Sequence, residues 1–200
     1  MRSRIVQQFQ KPHGMLGRMA GWIMEHRQSN RRRNAWAVSR LDIEPHHQVL
    51  ELGCGPGVGL QHAADRLTEG CVLGVDHSEL MVKAALRHNA QAVREGRVQV
   101  VHGTAETLAD QGRRFDRVFA VNVLQFWDAP EQTLRALRRI MAPGGVIAIA
   151  FQPRNKGATD DDALRGAERN RQLLEQAGFH DLRTETLDLA PIVTCVLGRA

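Results

Sequence analysis

Two hundred residues with 42% apolar side chains are enough for one domain with a real core, which excludes a disordered chain or a disulfide-stapled miniprotein. No stretch reaches the roughly 20 continuous apolar residues of a bilayer crossing, and the amino terminus lacks the uncharged run and cleavage site of a signal peptide; a soluble, cytoplasmic protein is expected. The net charge of +5 is unevenly divided, because residues 1–40 carry nine of the 27 bases and one of the 22 acids, a local +8, against −3 for residues 41–200.

The basic segment reads as helical. Met15, Leu16, Met19, Trp22 and Ile23 fall at helical spacing, and Gly14, Gly17 and Gly21 weaken that helix. Residues 1–40 are therefore read as a helical appendage, either packed on the body, covering a site as a lid, or lying on a membrane surface through Arg31, Arg32 and Arg33. Residues 41–200 form the body. Its apolar runs predict strands over 47–52, 71–76, 97–102, 115–122 and 145–151, with helices over 58–67, 78–89, 129–141 and 160–177 between them. Alternation of this kind makes an α/β fold with a parallel sheet, since each crossover can carry a helix. Asp128 is the expected N-cap of the helix at 129–141, and the run from Ala142 to Gly145 ends it. Residues 153–162 are expected to be a mobile loop. Beyond it, extended segments over 180–189 and 192–198 are joined only by Ala190 and Pro191, too short for a crossover, so they form an antiparallel pair at one sheet edge. The total is seven strands.

Between the first strand and its helix lies Glu51-Leu52-Gly53-Cys54-Gly55-Pro56-Gly57-Val58-Gly59. Alternating glycines after an apolar strand let the backbone turn tightly and approach a ligand where a Cβ would collide. The dinucleotide spacing GxGxxG fails, because the sixth position is Val58 counted from Gly53 and Leu60 counted from Gly55; the phosphate loop GxxxxGK[ST] fails for want of a lysine. Asp76 closes the second strand, where a carboxylate accepts the two hydroxyls of a ribose. Loop and acid together predict an adenosine-like ligand. Cys54, Cys71 and Cys195 are scattered, with no CxxC pair, and read as reduced thiols; no metal site is expected.

ELGCGPG, GVDHSEL, HGTAETL, FDRVFAVNVLQFW and LRRIMAPGGVIAIAF, in that order over residues 47–151, resemble the motif series of class I S-adenosylmethionine (SAM) dependent methyltransferases of the small-molecule type. The resemblance implies a Rossmann-like, doubly wound, mostly parallel seven-stranded sheet with an antiparallel carboxyl-terminal pair. It also implies a SAM site whose product is S-adenosylhomocysteine (SAH). Gly53, Cys54, Gly55 and Gly57 would pass beneath the methionine and ribose, with Glu51 supporting the loop. Asp76 would hold the ribose, His77 and Met81 would lie near ribose and adenine, and Thr104 and Ala105 would meet the adenine edge. Asn122 and Val123 would lie near the methionine amino group. The family commonly has Asp where Thr104 stands, and a hydroxyl accepts the adenine amino group less strongly.

Methyl transfer from a sulfonium needs positioning more than a dedicated base. His13, His26 and Gln125 are the polar groups expected nearby, and none is assigned as catalytic. The fourth strand ends in Asn122-Val123-Leu124-Gln125, not in the Asn/Asp-Pro-Pro-aromatic tetrapeptide of amino methylation, and no Pro-Cys nucleophile for cytosine exists. Zero Tyr and nine aromatic residues leave little for base stacking, so nucleic acid is not the expected partner. Phe9, Trp22, Trp36, Phe126 and Trp127 are available to wall an apolar pocket. The expected partner is a small, apolar organic acceptor. The alternatives are a phospholipid headgroup at a membrane surface and a SAM- or SAH-binding protein without turnover.

Overall fold

The computed structural model describes residues 28–108 and 112–200. In chain order the elements are α1 (Gln28–Ser39), β1 (Gln48–Leu52), α2 (Val58–Ala64), β2 (Cys71–Asp76), α3 (Glu79–His88), α4 (Ala90–Arg94), β3 (Val98–His102), β4 (Phe115–Val121), α5 (Pro130–Ile140), β5 (Met141–Phe151), α6 (Asp160–Gln176), β6 (His180–Leu187) and β7 (Val193–Arg199). Short 3₁₀ turns follow β3 and β4, at Ala105–Leu108 and Leu124–Phe126.

The sheet runs β3-β2-β1-β4-β5-β7-β6. All pairs are parallel except β5 with β7 and β6 with β7, the architecture expected for the seven strands. The chain winds outward from β1 through β2 to β3, then crosses back to place β4 on the other side of β1. That reversal leaves a crevice at the carboxyl ends of β1 and β4, where ligands bind in open α/β sheets.

Alternate side chains feed two cores because the sheet is covered on both faces. Leu50, Val118, Ala120, Ile147 and Ile149 face Leu134 and Leu137 of α5 and Leu174 of α6. On the opposite face, Val49, Val72, Phe119, Ala148 and Ala150 meet Leu60 and Ala63 of α2 and Ala37 and Val38 of α1. Trp36, partly buried, packs with this second core. Among the described residues, no helix is long and apolar enough to cross a membrane.

Several local expectations are corrected. The N-cap position of α5 is Ala129, with no side-chain cap bond, and Pro130 in the first turn fixes φ there instead of Asp128 capping it. The fifth strand starts at Met141, which pairs with Phe115 before a register shift; regular pairing resumes at Val146. The loop after β5 ends at Thr159, whose hydroxyl and Asp162 form a reciprocal capping box for α6. The helical stripe from Met15 to Ile23, with Phe9, Trp22, His13 and His26, lies outside the described residues. Of the Arg31–Arg33 run, Arg33 is 3% exposed and donates to Gln152 Oε1 at 2.6 Å, so it is part of the body rather than of a basic surface.

His47, just before β1, is buried, and its Nδ1 accepts the Glu44 backbone N–H at 2.9 Å. Burial and then Arg117 hold its pKa below 6.5 in the fold. The folded state therefore resists a proton that the unfolded chain accepts, so stability is lost as pH falls below about 6.5. Each pH unit withdraws at most about 1.4 kcal/mol. Thermal melts at pH 7.5 and 5.5 should show a larger drop for the wild type than for His47→Gln; equal drops would reject this role.

Candidate active site

Three consecutive alternate glycines take left-handed backbone: Gly53 at φ 64°, Gly55 at 52° and Gly57 at 87°. Each turn is anchored. The N–H groups of Gly53 and Cys54 both donate to Val75 O at the end of β2, at 2.7 and 3.2 Å. Gly57 O accepts from Asn89 Nδ2 at 3.0 Å, and Asn89, buried at the end of α3, spans to Ala85 O as well. A Cβ on Gly53 would stand 2.6 Å from Val123 Cγ2, and one on Gly57 2.5 Å from Asn89 Nδ2, so packing excludes side chains at both. At Gly55 a Cβ would meet nothing within 4 Å. The turn is therefore closed on its protein side and open above Gly55.

Asp76 is 6% exposed and holds this turn from below the crevice. Its Oδ2 accepts the Gly55 N–H at 2.8 Å and its Oδ1 the Ser78 N–H at 2.9 Å. One carboxylate thus fixes both the glycine turn and the start of α3, where Ser78 Oγ caps the Met81 N–H. Each oxygen keeps further acceptor capacity.

Glu51 is 2% exposed, under the first turn of α2. The Leu60 backbone bonds its carboxylate, which satisfies a helix amino-terminal donor that Gly57 at the N-cap lacks a side chain to meet. Its Oε2 is buried without a hydrogen-bond partner. Desolvation first, then repulsion from Asp76, pushes the Glu51 pKa well above the ordinary carboxylate range. Gly59 makes room for this group: a Cβ there would lie 2.7 Å from Glu51 Cδ and closer still to Oε1. Neither Gly59 nor Asn89 was singled out from sequence; their signals, a fourth glycine inside a helix and a polar residue ending one, have meaning only beside Glu51 and Gly57.

The other expected site residues fall as follows. His77 is half exposed, with Nδ1 3.7 Å from Asp76 Oδ1, and Met81 is buried behind it. Gly103 N donates to Asp76 O at 3.0 Å, drawing exposed Thr104 and buried Ala105 toward the same end of β2. Val123 packs on Gly53. Asn122, at φ 57°, exchanges two bonds with the Gln152 backbone through its amide, accepting from N at 2.7 Å and donating to O at 3.1 Å. Its side chain clamps the ends of β4 and β5. Gln125, exposed, donates to Asn122 O at 2.9 Å. Cys54 is buried and its thiol pKa is raised far up by burial; Cys195 is pushed up to about 12 by burial, so neither is a nucleophile at neutral pH.

A glycine turn at a topological switch point with an acid at the second strand's end defines the nucleoside-binding class of α/β folds. Two buried acidic side chains, Glu51 and Asp76, lie at this turn, an arrangement compatible with a cationic nucleoside. The methyltransferase domain profile matches residues 49–145. An uncharacterized methyltransferase, YdaC of Bacillus subtilis (strain 168), is 29% identical over 86% of this chain and 92% of its own length. Trans-aconitate 2-methyltransferase of Variovorax paradoxus (strain S110) is 31% identical over 76% of this chain, which spans 56% of that protein. In fold, the chain superposes on a SAM-dependent methyltransferase from Aquifex aeolicus with a TM-score of 0.71, at 18% identity, covering 90% of this chain and 97% of that one. The domain profile, the relatives and the fold together indicate a class I SAM-dependent methyltransferase with SAM as its cofactor.

Proposed function

We propose that this protein moves the methyl group of SAM to a small organic acceptor, with the cofactor lying across Gly53–Gly57 and Asp76. The observation that carries this reading is the turn itself, open above Gly55 and underlain by the acidic pair Glu51 and Asp76. The residues present fit SAM: buried Asp76 keeps acceptor capacity beside the turn, and the unpartnered Oε2 of Glu51 lies where a cationic ligand would favour its ionised form. When bound, SAM supplies an electrophilic methyl on a cationic leaving sulfur.

The chain's own residues then bind, orient and exclude water. Asp76, already holding Gly55 N–H, offers its remaining lone pairs to the ribose hydroxyls, with His77 and Met81 beside the ribose and adenine. Thr104 and Ala105 border the adenine, and the Gly53-Cys54-Gly55 backbone, with Gly57 closing the turn, supports the methionine end against Val123. Asn122 acts indirectly, by locking the ends of β4 and β5. Orientation of this kind supplies roughly 7–11 kcal/mol of a displacement barrier, so no dedicated base is required of the described residues. A small acceptor agrees with the trans-aconitate enzyme among the relatives. Of the Arg31–Arg33 run offered to a lipid headgroup, Arg33 faces inward.

Calorimetry with SAM, SAH and NADH tests the binding, and SAH release in a screen of carboxylates, thiols, phenols and amines tests the transfer. NADH binding in place of SAM would overturn the reading. The raised Glu51 pKa adds a signature. Because the folded free protein keeps this proton to higher pH than a free carboxyl, and a cationic ligand favours the ionised form, SAM affinity should rise as pH rises above about 4.5 toward that folded pKa. In Glu51→Gln that slope should flatten.

A further inference from the structure

On the far side of the turn that follows β4 is a cavity of about 190 Å³ with apolar walls: Leu124, Trp127, Phe151 and Leu173. It lies next to the cofactor turn, because Val123, one residue before Leu124, is the side chain packed on Gly53. Helix α6 forms its other wall through Gly166, Arg169, Asn170 and Leu173, a stripe at helical spacing. A Cβ on Gly166 would overlap the Phe151 ring, so the glycine lets that ring approach the helix closely.

Two polar groups on this wall are not engaged by the protein. Asn170 is 9% exposed and makes no hydrogen bond to any described residue; Arg169, exposed beside it, has no ion pair among the described residues. The Asn170 amide, with no bond to the protein, is free to meet a ligand in the cavity. An enclosed apolar cavity of about 150 Å³ is known to hold benzene; this one, partly open to solvent, has room for a single ring with one small substituent. Arg169 matches a carboxylate in charge and planar geometry, and the Asn170 amide can donate to the same group.

We infer that this cavity seats a small apolar carboxylic acid of single-ring size, its carboxylate held by Arg169 and Asn170 and its ring by Trp127, Phe151 and Leu173. Placed across the Val123–Leu124 segment from the glycine turn, it is the seat of the methyl acceptor, an assignment that rests on the methyl-transfer reading.

The test titrates the full chain, with and without saturating SAH, with benzoate, cyclohexanecarboxylate and the uncharged benzamide, read by calorimetry or ligand-observed NMR. Both acids should bind and benzamide should bind at least about tenfold more weakly. Arg169→Leu and Asn170→Leu should each weaken the acids about tenfold, the loss of one charge-assisted hydrogen bond, while melting temperature and SAH affinity stay as in the wild type. Absence of binding by either acid, equal binding of benzamide, or unchanged affinity in both variants overturns the seat and leaves Asn170 to solvent. Acid binding that depends on Arg169 in a chain that does not bind SAH upholds the cavity and sinks the cofactor reading instead.

Discussion

Asp76→Ala should weaken SAM and SAH binding tenfold or more and lower the melting temperature by several degrees. Both effects come from one carboxylate with two duties. Its Oδ2 and Oδ1 hold the N–H groups of Gly55 and Ser78 at 2.8 and 2.9 Å, and their loss leaves two donors without acceptors, at about 1–3 kcal/mol each where buried. For a chain of this size each kcal/mol is roughly 2–4 °C. The remaining lone pairs are those assigned to the ribose, and charged hydrogen bonds of roughly 1.5–3 kcal/mol correspond to about ten- to 150-fold in affinity. Asp76→Asn separates the two duties only in part, because its amide NH₂ must face one of the two N–H donors. Calorimetry of SAH binding and thermal melts measure both effects. A variant that melts lower yet binds SAH as tightly as the wild type would remove Asp76 from the ribose and leave it a brace for the turn.

How much of this was legible in the sequence depends on whether a feature is local. The strands were, because β1, β2, β4 and β5 are buried on both faces and leave near-continuous apolar runs with glycine or proline punctuation. The glycine turn and Asp76 were legible for the same reason, as a strand, a turn and an acid at a fixed distance along the chain. What escaped are side chains whose role is set by a partner far away in sequence. Asn122 reads as a polar group at the mouth of the crevice, yet its amide is bound to the backbone of Gln152, 30 positions on. Arg33 reads as one of three surface arginines but meets the Gln152 side chain 119 residues away. Gln152, which also donates to Pro191 O at 2.6 Å, joins α1, β4 and the loop before β7, and nothing near it in the sequence marks it. Asp128 failed as a cap because Pro130 meets the local requirement one step later.

Gly55 and Gly59 look alike in the sequence and should respond in opposite ways to alanine. At Gly55 the added methyl meets nothing in the protein, so the fold bears only the left-handed backbone at φ 52°, roughly 1–2 kcal/mol for an L-residue. The methyl would occupy the open side of the turn, and SAH affinity should fall tenfold or more. Gly59 lies inside α2, where alanine is the better helix former by about 1 kcal/mol, but its methyl would land on the Glu51 carboxylate. Glu51 cannot retreat without leaving the Leu60 backbone unbonded. The net loss should be about 1–3 kcal/mol of stability, the usual range for overpacking, with cofactor binding weakened only because the turn loosens. Coupling identifies the cause. If the clash with Glu51 is responsible, Glu51→Ala in the Gly59→Ala background should restore stability relative to Gly59→Ala alone, although Glu51→Ala by itself empties a buried position and destabilises. A cycle in which the two losses simply add within about 0.5 kcal/mol, as distant sites do, would mean that Gly59 is not there to admit Glu51 and that the acid does not brace the turn.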